Sequence, residues 1–193
     1  PQTPDDTRGA APRDSAETAR SQRQAPGYRQ PERPFDIDKD PENYLYLGFI
    51  APAFPTARMV QLRRNPMDAC FAMYKQSYFR QAYTLQDLGD FYMAYDRISR
   101  HWRAVLGERL IEVDYESLVT EPEAQTRSLL DRLGLEFESA CLEFHRNTRP
   151  SATASNVQVR ERVHTRSVNR WKYFEDQLQP LRDRLEAAGI AIS

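Results

Sequence analysis

Hydrophobic residues are scarce in the first part of the chain and follow a regular pattern only from about residue 37 onward. Residues 1–36 contain no Leu, Ile, Val or Met, and they hold six of the thirteen prolines. Such a segment buries too little apolar surface to offset the entropy lost on ordering, so we expect it to be disordered. The pattern therefore predicts a Pro/Arg-rich segment over residues 1–36 and a globular domain over residues 37–193.

Within the globular domain, the apolar spacing predicts helices that alternate with short strands. Met59–Leu62 is an apolar run of strand length, whereas residues 85–106 carry apolar side chains at steps of three and four, typical of an amphipathic helix. Thr84 is a suitable N-cap for that helix, and Gly107 is a suitable end. The other predicted elements are a short buried helix from about Tyr44 to Pro52, a strand at Leu110–Val113, and helices at about 122–133, 138–145 and 174–188.

The order of these elements indicates an α/β fold. Two short apolar strands are separated by a crossover long enough to hold two helices, which is typical of parallel strands. Further helices follow the second strand. We therefore expect a parallel sheet covered by helices.

The chain passes abruptly from the predicted strand at Met59–Leu62 into a helix. Asn65 suits the N-cap, Pro66 suits the first helical position, and Asp68 lies in the first turn, where a carboxylate is favoured. A helix N-terminus presents unpaired backbone N–H groups, and Arg64 adds a full positive charge at the same point. The junction is a candidate anion site, most simply for a phosphate. The alternative is that Arg64 is a solvated arginine at a strand end.

Composition and charge narrow the classes of function. The formal net charge of −1 argues against a nucleic-acid binder that works through bulk charge. Cys70 and Cys141 are far apart and no histidine completes a metal pattern, so we expect no metal and a reducing, cytoplasmic location. No apolar run approaches the roughly 18 residues of a membrane span, so we expect no membrane contact. Arginine greatly outnumbers lysine, which makes the three lysines worth individual attention: Lys39, Lys75 and Lys172.

A basic, polar and poorly patterned segment covers residues 146–171. It contains six arginines, and a loop of this length inside a compact domain is typically functional or mobile. The sequence has no Walker loop, no G-x-G-x-x-G, no G-x-S-x-G and no HExxH motif. Its strongest chemical signal is the combination of three anion-binding features: Arg64, this basic segment, and Lys39 just before a helix.

Several motifs resemble those of the sulfotransferase family and occur in the same order. They are KDPENYLYLG (39–48), FPTARMVQLRRNPMD (54–68), HW (101–102), VDYESLV (113–119), LLDRLGL (129–135), CLEFH (141–145), TASNVQVR (153–160) and SVNRW (167–171). Together they cover about residues 37–186. They are similar in particular to a bacterial branch that is often joined to tetratricopeptide repeats and related to tyrosylprotein sulfotransferases.

The resemblance implies both a fold and a reaction. The fold would be P-loop-NTPase-like, with three layers and a parallel sheet flanked by helices. The reaction would transfer a sulfuryl group from 3′-phosphoadenosine 5′-phosphosulfate (PAPS) to a hydroxyl acceptor, with peptide tyrosine as one candidate. Tetratricopeptide repeats upstream in the full gene product would be consistent with the same branch.

Carried over position by position, the resemblance implies roles for five residues. Arg64 would bind the 3′-phosphate of PAPS, in agreement with the argument from the strand–helix junction, and Tyr115 would lie near the adenosine. Lys39 would donate a hydrogen bond to the bridging oxygen as the sulfuryl group leaves. Ser155 would lie near the transferring group, and Arg160 would contact the nucleotide phosphates. Ordinary structural roles stay open for three of them: Tyr115 as a core aromatic, Ser155 as a loop cap and Arg160 as a surface charge.

Two departures from the family pattern bear on activity. A glycine-rich loop for the 5′-phosphosulfate is not found in residues 1–38, so we expect the fold to lack its first strand and loop. The position eight residues after Arg64, which is usually a serine that contacts the 3′-phosphate, is Ala72. The alternative to a sulfotransferase is therefore a non-catalytic remnant that binds a nucleotide or a partner without turnover.

Overall fold

Six α-helices and two β-strands account for the regular α and β structure in the described parts of the chain, residues 35–76, 84–146 and 161–192 of a computed structural model. The chain divides into two units, residues 1–57 and 58–193. Within the described ranges no helix combines the length and the apolar character that crossing a membrane requires. The segment 1–36 lies almost wholly outside these ranges, so its expected disorder stays a prediction.

The first unit contains helix α1, Asn43–Ala53, which confirms the helix predicted there. Leu47 and Ala51 are buried one turn apart on the same face, whereas Phe49 is 62% exposed. The expected burial therefore holds for one stripe of the helix only.

Two parallel strands form the sheet of the second unit. β1 spans Met59–Arg63 and β2 spans Leu110–Asp114, with Met59 opposite Leu110 and Arg63 opposite Asp114. The parallel pairing confirms the prediction from the long crossover. The two strands end at the same edge, so the residues that follow them are brought close together.

The crossover between the strands contains α2, Pro66–Tyr74, and α3, Leu85–Leu106. α3 begins and ends as predicted. The Thr84 hydroxyl accepts a hydrogen bond from the Asp87 amide over 3.0 Å, and Gly107 ends the helix with a φ of 52°. A positive φ of this kind favours glycine because glycine has no Cβ.

The sheet is followed by α4, Tyr115–Thr120, α5, Pro122–Leu133, and α6, Glu175–Ala187. α5 and α6 confirm two predicted helices, and Gly134 ends α5 in the left-handed conformation. α4 was not predicted because it is only six residues long. Its sequence signal is Asp114, whose Oδ1 accepts from the Ser117 amide over 2.8 Å as an N-cap.

The helix predicted over residues 138–145 is wrong. Two short 3₁₀ turns, Ser139–Leu142 and Phe144–Arg146, take its place. Neither turn contains a buried residue, and Glu138 makes no side-chain cap to the first. A short helix without a buried face or a cap has little to offset the cost of nucleation.

The core of the second unit lies where α2, α3, α6 and the 3₁₀ turn Arg170–Phe174 pack together. Its fully buried members include Met67, Leu88 and Leu181. α3 approaches α6 closely at Gly89, where an added Cβ would lie 2.8 Å from Cδ of Arg184. This packing holds α6 against α3, and the turn that precedes α6 against α2.

Candidate functional site

The junction between β1 and α2 forms around the side chain of Asn65. Its Oδ1 accepts hydrogen bonds from the amides of Met67 (3.0 Å) and Asp68 (3.2 Å), which confirms Asn65 as the N-cap. The amide of Asn65 donates to Oε1 of Glu116 on α4 over 3.0 Å. Helix α2 is thus tied to the residues that follow β2.

These contacts correct one step of the sequence argument. The expected anion site relied on unpaired backbone N–H groups at the start of α2. The amides of Met67 and Asp68 are instead taken by Asn65 Oδ1, and the amide of Ala69 donates to the Asn65 carbonyl over 2.9 Å. Pro66 has no N–H to offer. Anion binding at this junction must therefore depend on side chains.

Arg64 is the cation at this junction. Its Nη2 donates to the backbone carbonyl of Ser167 over 2.6 Å, and its guanidinium carbon lies 4.9 Å from the ring centroid of Tyr115. Its Nε–H is buried and has no hydrogen-bond partner among the described residues. A buried donor without an acceptor is costly, so this group fits an oxygen atom of a bound anion.

Arg64 and Tyr115 meet because of the strand pairing. Each follows the last residue of its strand, and those last residues, Arg63 and Asp114, are partners in the parallel register. A cation over an aromatic ring stabilises the contact. Two of the residues that the family resemblance assigns to one nucleotide site are therefore neighbours.

A buried carboxylate joins α2 to the end of the basic segment. Asp68 is 1% exposed, and its two oxygens accept from the amides of Asn169 (2.6 Å) and Trp171 (3.0 Å). Asn169 adopts a left-handed conformation with a φ of 58°, a region that asparagine tolerates better than most residues. Asp68 thereby fixes the backbone on both sides of Arg170.

Lys75, at the end of α2, extends the positive charge around Arg64. Its Nζ lies 4.7 Å from the ring centroid of Phe71, one turn back along the helix. Burial lowers the pKa of Lys75, and the charges of Arg170 and Arg64 lower it further, against an opposite effect of Asp68. Sequence analysis singled out Lys75 only as one of three lysines and gave it no role, because its proximity to Arg170 depends on the tertiary fold.

The placement of the other three predicted site residues relative to Arg64 stays a prediction. Lys39 is exposed and precedes α1 in the first unit. Ser155 and Arg160 lie outside the described residues. Within the described ranges no group of His, Cys, Asp or Glu is arranged to hold a metal ion.

Comparison with known proteins identifies the relatives of this chain. The model of the sulfotransferase family matches residues 5–139. This match includes the segment before residue 37 and ends before the motifs of the basic segment. An uncharacterized protein of Aquifex aeolicus is 33% identical over 161 residues, which cover 80% of this chain and 21% of that protein. The chain thus spans about a fifth of the length of this curated relative. The family model matches well over half of the residues of this chain, so the chain belongs to the sulfotransferase family.

Proposed function

We propose that this chain binds PAPS and transfers its sulfuryl group to a hydroxyl acceptor, with peptide tyrosine as one candidate. The observation that carries the proposal is the environment of Arg64. Its buried Nε–H has no acceptor among the described residues, while its Nη2 donates to the Ser167 carbonyl and its guanidinium carbon lies 4.9 Å from the ring centroid of Tyr115. A fixed guanidinium with a spare donor suits a phosphate oxygen.

The family resemblance assigns the 3′-phosphate of PAPS to Arg64 and the adenosine to the neighbourhood of Tyr115. The contact between these two side chains supports a shared nucleotide site. The small parallel sheet and its helical crossover are consistent with a P-loop-like fold, of which the described strands would be one part.

The chemical step would be assisted by Lys39. In the transfer, the acceptor oxygen forms a bond to sulfur, the bond from sulfur to the bridging oxygen breaks, and the acceptor proton passes to a base. Negative charge develops on the bridging oxygen, and the compact ammonium of Lys39 would stabilise it by donating a hydrogen bond. Ser155 near the sulfuryl group and Arg160 at the nucleotide phosphates complete the proposed set.

Replacing Arg64 with alanine tests the nucleotide site. The unmodified chain should bind adenosine 3′,5′-bisphosphate more tightly than adenosine 5′-phosphate, and Arg64→Ala should abolish that preference. A charge-assisted hydrogen bond contributes about 1.5–3 kcal/mol, so the loss in bisphosphate affinity should be roughly ten- to a hundredfold. Isothermal titration calorimetry measures both affinities.

Arg63→Ala is the matched control for this experiment. Arg63 is the preceding residue, but its Nε lies 3.7 Å from Glu112 and half of its side chain is exposed. Its replacement should leave the preference for the bisphosphate intact. A preference that survives in Arg64→Ala, or one that the unmodified chain never shows, would contradict the proposed 3′-phosphate site.

A non-catalytic nucleotide-binding module is the alternative, and Ala72 favours it. The methyl group of Ala72 on α2 offers no hydroxyl to a phosphate at a position where the family usually has serine. An assay of labelled sulfate transfer from PAPS by this chain separates the two functions, because the module would bind the nucleotide without releasing a sulfated product.

A further inference from the structure

The register of the two parallel strands continues for two residues beyond their ends. Every pair in the sheet joins residues that are 51 positions apart in the chain. The same separation relates Arg64 to Tyr115, whose ring centroid lies 4.9 Å from the guanidinium carbon. It also relates Asn65 to Glu116, whose Oε1 accepts from the Asn65 amide over 3.0 Å. Side-chain contacts thus extend the order of the sheet into the candidate site.

The carboxylate of Glu116 takes the place that a backbone carbonyl holds in a parallel ladder. Asn65 is only 8% exposed, so an amide without an acceptor at this position would be costly. Glu116 lies in the first turn of α4 and reaches the N-terminus of α2. A negative charge is favoured at both helix ends, and a charged acceptor makes a stronger hydrogen bond than a neutral one. A glutamate therefore suits this position.

The hydrogen bond to Glu116 acts on the peptide group that follows the Arg64 side chain. The amide of Asn65 and the carbonyl of Arg64 belong to one planar peptide group. An acceptor that fixes this plane also fixes the backbone from which the Arg64 side chain extends. The other end of that side chain is held separately, by the Ser167 carbonyl over 2.6 Å and by the Tyr115 ring. Arg64 is thus held at both ends.

Glu116 acts on Arg64 through the backbone and not as a counterion. Within the described ranges its carboxylate forms no ion pair with Arg64 or with any other cation. The guanidinium charge therefore stays available to an anion. The contribution of Glu116 is a matter of geometry, which a neutral acceptor of the same length can reproduce.

We propose that Glu116 is a positioning residue for Arg64. By accepting from the Asn65 amide, it keeps the Arg64 guanidinium against the Tyr115 ring and the Ser167 carbonyl, with the Nε–H left for a bound anion. This inference rests on the proposed nucleotide function and assigns to Glu116 an action through Arg64. A guanidinium that is already ordered loses less conformational entropy when the nucleotide binds.

The test compares Glu116→Ala with Glu116→Gln and uses Glu123→Ala as the control. Glutamine keeps an oxygen that accepts from the Asn65 amide, whereas alanine removes the acceptor. Glu123 is a matched control because it lies in the first turn of α5, is exposed, and accepts from Nε of Arg127 over 2.9 Å. Calorimetric titration of each full chain with adenosine 3′,5′-bisphosphate and adenosine 5′-phosphate gives the affinities. Amide exchange followed by NMR reports on Asn65 without nucleotide, and urea denaturation verifies folding.

We expect Glu116→Ala to speed the exchange of the Asn65 amide about tenfold or more and to weaken bisphosphate binding about tenfold. Binding of adenosine 5′-phosphate should change by less than about twofold. Glu116→Gln should restore slow exchange and the preference for the bisphosphate, because its oxygen replaces the lost acceptor. Glu123→Ala should change neither. If Glu116→Ala folds poorly, Glu116→Asp serves in its place, since the shorter side chain withdraws the oxygen from the Asn65 amide.

Three outcomes would overturn the inference. If Glu116→Gln loses the preference as fully as Glu116→Ala, the charge of Glu116 matters and its hydrogen bond does not. If Glu116→Ala leaves the preference intact while Arg64→Ala abolishes it, the phosphate site stands but Glu116 does not position it. If the unmodified chain shows no preference at all, the proposed function fails and the functional part of this inference fails with it, whatever the exchange of the Asn65 amide shows.

Discussion

At the scale of single residues, Asp68 is the side chain on which the geometry of the site depends most. It is almost fully buried, and its two acceptors serve the amides of Asn169 and Trp171, about a hundred residues away in sequence. The sequence indicated Asp68 only as a favourable charge in the first turn of α2. Its long-range role depends on where the chain returns after α5, which local patterns do not specify.

Asp68→Asn should therefore loosen the turn around Arg170. An amide has one acceptor oxygen instead of two, so one backbone N–H would face an NH₂ group and lose its partner. The free energy of unfolding should fall by about 1–3 kcal/mol, and the amides of Asn169 and Trp171 should exchange their hydrogens faster. Urea denaturation and amide exchange followed by mass spectrometry measure these effects.

Asp183→Asn is the control for this substitution. Asp183 is exposed on α6, and its Oδ1 accepts from Nε2 of Gln179 over 2.6 Å. Its replacement should change stability by less than about 0.5 kcal/mol. Equal stabilities of the two variants would show that Asp68 does not hold the turn.

At Arg64 the structure supports one half of the sequence argument and corrects the other, and phosphate binding there stays a prediction. A strand that runs into a helix beside an arginine indicated an anion site, and Arg64 does have a buried, unbonded Nε–H among the described residues. The backbone donors on which the argument also relied are occupied by Asn65, the cap that the same sequence predicted. The number of donors that an asparagine cap consumes can be counted from the sequence alone, and that count leaves no free backbone N–H at this junction.

At the scale of elements, predictions succeeded where a helix has a strong cap and a long apolar stripe. α3 matches its predicted range because Thr84 and Gly107 mark its ends unambiguously. β1 was predicted as a strand, but Val60 and Leu62 are about half exposed, while Gln61 on the opposite face donates to Tyr95 and Ser99 of α3. In a strand of five residues, hydrophobicity alone does not show which face is covered.

Two of the N-caps, Asn65 and Thr84, offer a quantitative test at this scale. Asn65 is buried and accepts from two amides, whereas Thr84 is exposed and accepts from one. Asn65→Ala should cost about 1–2 kcal/mol of stability and Thr84→Ala about 0.5–1 kcal/mol. Urea denaturation of both variants gives the comparison. An equal or larger cost for Thr84→Ala would mean that the β1–α2 junction is less rigid than its hydrogen bonds imply.

At the scale of the whole molecule, the net charge says less about where an anion could bind than the pairing of individual charges does. A formal charge of −1 suggested only that nucleic acid is an unsuitable partner. The structure shows that the balance is uneven, since arginines such as Arg184 and Arg127 are paired on the helices, while Arg64, which follows β1, forms no ion pair with a described carboxylate. Composition cannot reveal such a separation because it depends on which side chains the fold brings together.

The buried core also predicts how the whole chain responds to alkali. Burial raises the pKa of the Cys70 thiol to about 12, and burial likewise raises the pKa of Tyr92. In the unfolded chain these groups ionise near pH 9 and 10, so above those values the unfolded state has lost protons that the folded state retains. The contribution of these two groups to the free energy of unfolding is therefore complete at neutral pH, and it is lost as the pH rises above 9.

For Cys70 alone, a folded pKa of about 12 against an unfolded value of 9.0 lowers the free energy of unfolding by about 1.4 kcal/mol between pH 7 and pH 10. Urea denaturation at pH 7, 9 and 10 should show this decline. Cys70→Ala should reduce it, whereas Cys141→Ser should leave it unchanged, because Cys141 is exposed. A stability that stays level to pH 10 would mean that the thiol ionises in the folded chain, and that solvent reaches the core between α2 and α3.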